Sequence, residues 1–171
     1  RIDGFPVITR WDDPIQYSCQ RNFVLGIGDI YTHQDGQLPG RTGGPTDDAN
    51  NLNVDTLWNT LTAQEGSSTW TGGSSGGTPY MAALAQWANT NDIRPDLPGS
   101  QNVQTFWIDV LQNNNGQSTV EDALKLKTPS WLAAKYGGFN RRIVPGANPN
   151  VDSASWDANN DGIPDTLFAG N

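Results

Sequence analysis

The chain has one cysteine, three lysines and two glutamates in 171 residues. With Cys19 alone, no disulfide can close within it. An odd cysteine in a secreted protein points to a partner elsewhere, so Cys19 is expected to bond a segment outside this stretch or a second copy. The net charge is −8, and no basic patch exists beyond Arg141-Arg142, which excludes nucleic acid as a natural partner. No apolar run reaches the ~18 residues of a membrane-spanning helix, and no signal peptide or lipidation motif is present. Membrane insertion is therefore not expected. The chain opens on Arg1 and stops just after an apolar run, and it reads as a piece of something longer. His33 is the only histidine, and no serine or cysteine sits in a recognisable nucleophile setting. A cluster of His33, Asp29 and Asp35 therefore makes a poor hydrolytic centre, and the chain is expected not to be an enzyme.

Aspartate takes glutamate's place: 16 of the 18 acids are Asp. Helical surfaces use Glu freely, so this skew points to loops, turns and cation ligation, and the Asn/Gly-rich connections suit an extracellular protein. Asp157, Asn159, Asp161 and Asp165 stand at positions 1, 3, 5 and 9 of a loop, with Gly162 directly after the third. Such a loop wraps a hard cation: side-chain oxygens come from those four positions, the Ile163 carbonyl supplies position 7, and glycine permits the sharp turn. Three aspartates this close repel one another, and a bound Ca²⁺ relieves the repulsion. Position 12, a bidentate glutamate in a full EF-hand, is Phe168, and no amphipathic helices flank the loop. The expected site is thus an Asp/Asn-rich calcium loop rather than a helix-loop-helix sensor. A plain Asx-rich turn is the alternative.

Along the chain, residues 1–20 read as irregular. Asn22 to Ile30 is an almost unbroken apolar run ending at Asp29, as suits a strand covered on both faces of a parallel sheet. Ligands gather outside the carboxyl ends of such strands, where Asp29 would sit. Val54, Leu57, Trp58 and Leu61 fall on one helical face. Residues 66–77 form a Gly/Ser loop carrying Trp70. A second helix is expected to open at Thr78-Pro79, with Thr78 as cap and proline in the first turn, and to stop before Pro95. Val103 to Leu111 reads as a second strand with both faces buried. A weaker helical stretch (119–126), a short helix from Ser130 to Tyr136 and a Pro/Gly/Asn linker (140–150) lead to the calcium loop. Trp58, Trp87, Trp107 and Trp131 are expected in the core. Trp70 is the aromatic residue that could instead touch a partner or glycan, or equally anchor its loop.

Five blocks resemble one family in series: Tyr17 to Asp29, Tyr80 to Leu97, Val103 to Val110, Trp131 to Phe139 and Trp156 to Phe168. Together they are similar to the von Willebrand factor A-like, amino-terminal region of the PilY1 proteins of bacterial type IV pili. The resemblance spans residues 15–171. It implies an α/β fold with a doubly wound, mostly parallel sheet, incomplete here, with residues 1–171 forming part of one such domain. It also implies a calcium-binding factor at the pilus tip or cell surface, exported through the periplasm. Such a factor works in pilus biogenesis, adhesion, twitching motility and surface sensing. Other pilus-tip components (minor pilins) and a host or abiotic surface ligand would be its partners. On this resemblance Asp29 sits where the aspartate of the third loop of a metal-dependent adhesion site would be. The Asp-x-Ser-x-Ser of a complete site occurs nowhere in the chain, so the first strands are expected upstream of Arg1, or missing. The bland reading of Asp29 is a strand-end acid hydrogen-bonded to backbone. From a different class, a secreted carbohydrate-active protein with a purely structural calcium loop is the alternative. It needs two carboxylates across a cleft, and no pair is marked.

Overall fold

The computed structural model describes residues 12–29, 32–36, 38, 40–41, 52–65, 77–110 and 127–139. Their order is β1 (Asn22–Asp29), α1 (Val54–Glu65), α2 (Tyr80–Thr90), β2 (Val103–Val110) and α3 (Pro129–Gly138). The strands pair in parallel, with Leu25 beside Phe106, Gly26 beside Trp107 and Ile27 beside Ile108. The α/β class and the parallel pairing match the expectation. The von Willebrand factor A-like order of strands lies beyond what the described residues contain, as do the helical stretch at 119–126 and the linker at 140–150.

Each helix begins where the local chemistry lets it. Asn53 caps α1: its side-chain oxygen accepts the Thr56 N–H at 2.8 Å, and Asp55 places a negative charge in the first turn. Thr128 caps α3 by accepting the Trp131 N–H at 3.2 Å, and Pro129 follows at a position that needs no donor. The expected cap of α2 needs correction. Pro79 occupies the cap position without a side-chain bond, while Thr78 lies one residue earlier with its backbone N–H given to Asp35 Oδ1 at 2.5 Å. The Asp35 bond engages only the Thr78 backbone, and the Thr78 hydroxyl caps no helix N–H. The helix stops at Asn91, before Pro95 as expected, where both the backbone N–H and the side-chain amide of Asn91 bond the Trp87 carbonyl.

The core lies among the helices. Leu61, Ala82, Ala85, Trp131, Leu132, Ala133 and Tyr136 form one buried cluster, with Trp58 and Met81 packed against it. Full burial of a leucine contributes about 1.5–3 kcal/mol. Small residues allow close approach: a Cβ on Gly137 would stand 2.8 Å from both Ala85 Cβ and Thr105 Cβ, so α3 meets α2 and β2 nearly backbone to side chain. Buried Asn89 donates its amide to the Tyr136 and Phe139 carbonyls, each at 3.1 Å, meeting acceptors that the end of α3 cannot meet internally.

The sheet departs from the expectation that both faces are buried. Trp107 lies across Gly26 and Gly28 on the side where Thr105 meets α3; a Cβ on Gly26 would be 2.1 Å from the indole. The other side carries Phe23, Leu25, Ile27, Phe106, Ile108 and Val110, all exposed. Alternation along a strand sends neighbouring side chains to opposite faces. Among the described residues, helices pack on only one of them.

Candidate functional site

Parallel strands bring their carboxyl ends to one edge of the sheet, and the polar residues after β1 collect there. Thr32, Asp35, Gly77 and Thr78 meet although Asp35 lies 43 positions from Thr78 and Thr32 further still. A Cβ on Gly77 would fall 1.8 Å from the Thr32 carbonyl oxygen, so only glycine fits the contact. The Thr32 and Thr78 hydroxyls are buried there with no hydrogen-bond partner. Arg41 braces the corner: it donates to the Gly36 carbonyl at 2.8 Å and covers the Tyr80 ring, 5.6 Å from its centroid. The Tyr80 hydroxyl donates to Asp55 of α1 in a short bond. That bond to a carboxylate, with burial second, raises the phenol above its ordinary range.

Two further charged clusters tie segments together. Glu65, at the end of α1, meets Lys135 Nζ at 2.6 Å, Lys127 Nζ at 3.2 Å and the Tyr136 hydroxyl at 2.6 Å. Its side chain is only 6% exposed. Burial alone would raise its carboxyl, but the bonds from Lys135 and Tyr136 and the lysine charges outweigh that and hold it below the ordinary value. Lys135 also stacks over the Trp131 and Tyr136 rings. At the opposite end of the strands, Arg94 grips the segment before β1, reaching Asp13 at 2.9 Å and the Ile15 carbonyl while forking onto Asp96. The fork and charge of Arg94 lower the Asp96 carboxyl. Gln101 adds bonds to the Ser18 and Pro98 carbonyls.

The residues singled out by sequence are placed unevenly. Asp29 ends β1 at the carboxyl edge, beside the corner just described. His33 and Asp35 follow it, with Asp35 engaged by Thr78. Cys19 is a free, exposed thiol in the turn that the Gln20 N–H closes onto the Tyr17 carbonyl. Asp157, Asn159, Asp161, Ile163 and Asp165 lie outside the described residues, as does Trp70. Among the described residues, no group of three His, Cys, Asp or Glu side chains could hold a metal, and no helix is long and apolar enough to cross a membrane. Sequence reasoning missed the Glu65 cluster, the Arg94 clamp and the Asp35–Thr78 bond. Only the first left a signal: one of just two glutamates, closing an amphipathic helix.

The sequence has a counterpart in a curated protein. The type IV pilus biogenesis factor PilY1 homolog of Xylella fastidiosa (strain Temecula1) is 34% identical over 183 aligned residues, covering 91% of this chain. The chain is PilY1-like. The PilY1-like chain spans 14% of that relative's length. No family model and no solved structure matches it.

Proposed function

We propose that the PilY1-like chain is a calcium-binding, non-catalytic module of a type IV pilus biogenesis factor. It acts at the pilus tip or cell surface in pilus assembly, adhesion, twitching motility and surface sensing, against minor pilins and a surface ligand. The observation that carries this reading is the identity spread over 91% of the chain to a relative named as such a factor. The parallel strand pair with Asp29 at its carboxyl edge supports a von Willebrand factor A-like arrangement. Asp157, Asn159, Asp161, the Ile163 carbonyl and Asp165 would hold Ca²⁺, which supplies the positive charge that lets three carboxylates converge. Without a bidentate twelfth ligand the affinity belongs with extracellular modules, a Kd of about 10⁻⁵ to 10⁻³ M.

The test has separate arms. Deleting the gene that encodes the chain should abolish surface pili and twitching, and the wild-type gene should restore both; unchanged piliation would overturn the pilus role. Calcium at a hundredfold excess over Kd should add about 2.7 kcal/mol to folding stability, and Asp161→Ala should lose most of that gain. An EGTA-insensitive melt with no calorimetric calcium heat would reduce the loop to a turn.

A further inference from the structure

The segment 32–36, Thr-His-Gln-Asp-Gly, follows β1 and lies against the residues that open α2. It carries no large apolar side chain, and His33 and Gln34 are exposed. Polar bonds and one backbone contact hold it. Asp35 Oδ1 accepts the Thr78 N–H at 2.5 Å, and the Gly36 carbonyl accepts from Arg41 at 2.8 Å. Thr32 meets Gly77 so closely that a Cβ there would fall 1.8 Å from the Thr32 carbonyl oxygen. A segment with so little apolar contact belongs to the part of a fold that opens most readily.

Three features of the same segment oppose this arrangement. Gln34 holds a φ of 49°, in the left-handed region that residues with a Cβ enter only at a cost. The Thr32 hydroxyl is buried without a hydrogen-bond partner. So is the Thr78 hydroxyl, on a residue only 6% exposed. A buried hydroxyl without a partner gives up its bonds to water and gains none. One movement relieves all three. Lifting residues 32–36 frees Gln34 from the left-handed region and admits water to both hydroxyls. What it breaks at Thr78 is a single bond from an amide to a carboxylate.

We infer that residues 32–36 are a polar lid on the carboxyl edge of the sheet. Asp35 is its latch on the Thr78 N–H, and the Gly36–Arg41 bond is its hinge side, steadied by Arg41 on the Tyr80 ring. The closed form described above exchanges with an open one. Opening bares the Thr78 N–H and both hydroxyls at the start of α2, on the edge where sheets of this kind collect ligands. The corner is thus a gate on that edge and not a fixed brace.

Native-state hydrogen exchange on the full product of the gene tests this, with the Thr78 amide read by mass spectrometry after electron-transfer fragmentation. In the wild type, Thr78 should be protected about tenfold less than the amides of residues 84–89 in α2. Asp35→Ala removes the latch and should lower Thr78 protection by about tenfold again, leaving residues 84–89 unchanged. Two substitutions should act the other way. Gln34→Gly removes the left-handed cost and Thr32→Val replaces the stranded hydroxyl with a methyl, so each should raise Thr78 protection by about threefold. All three lie far from Thr78 in sequence, so the intrinsic exchange of its amide is the same throughout. Wild-type Thr78 protected as strongly as residues 84–89 would overturn the inference. So would an Asp35→Ala protein in which Thr78 and residues 84–89 lose protection together, which makes the segment part of the core. Gln34→Gly and Thr32→Val proteins with unchanged or lower Thr78 protection would overturn it as well. Should Asp35→Ala fail to fold, the wild type and the two closing variants decide.

Discussion

α3 and β1 are both built from apolar and small residues, yet they end in opposite environments. In α3, Leu132 and Tyr136 are fully buried, Trp131 nearly so, and even the helix's last carbonyls are met by Asn89 of α2. In β1, Leu25 and Ile27 remain more than half exposed, and on the inner face one indole covers Gly26 and Gly28 while Val24 stays exposed. The difference lies in neighbours rather than in hydropathy. α3 packs on α2 and β2 together, whereas β1 packs chiefly on β2. An apolar run states that a surface must be covered; it does not state that the covering residues are nearby in the chain.

The comparison breaks most clearly with matched truncations. Leu132→Ala, inside the helical core, should cost about 2–5 kcal/mol in urea unfolding. Leu25→Ala should cost this chain less than about 1 kcal/mol, because little of its surface leaves water here. Equal costs would mean the two environments are alike. Next in size is Gly26→Val, which drives a branched side chain into the Trp107 ring; overpacking of this kind costs about 1–3 kcal/mol. Displacing the indole should also shift tryptophan emission to the red, and an unmoved spectrum would show that the ring does not lie on Gly26. Smallest is the acid response of the helical side. Glu65 is held below its ordinary value of 4.5, so its stabilising contribution is complete above that pH and fades as pH falls through the lowered value. Acid titration of stability should show this loss in the wild type and a shallower slope in Glu65→Gln. Identical slopes would remove Glu65 from the account.

Much of the helical side was readable in the residues. The spacing of Val54, Leu57, Trp58 and Leu61 marked α1, and Pro95 marked the limit of α2, because helix period and proline sterics act locally. The strands were also legible as apolar runs. Their one-sided cover was not, since burial of Phe23 or Ile108 depends on residues elsewhere in sequence. The same holds for the polar contacts that lock the fold. Thr78 has the composition of a cap, yet its hydroxyl bonds no helix N–H, and its backbone is held by Asp35 from 43 positions away. Asn89 reaches 47 and 50 positions to hold α3. Of the candidate site, Asp29 was placed correctly at a strand's carboxyl end, whereas the corner of Thr32, Asp35 and Thr78 required the loop closure that only the fold supplies.

The register of the sheet also governs the order of events in folding. Every residue of β1 pairs with one about 80 positions further along the chain, with α1 and α2 in between. Helical turns form within microseconds from neighbouring residues, but a parallel pairing must first close that loop and bear its entropy. The helices can therefore collapse before the strands meet, and the sheet is the slow, late step. Until then the apolar side chains of both strands are open to any other unfinished chain, which exposes β1 and β2 to aggregation during synthesis.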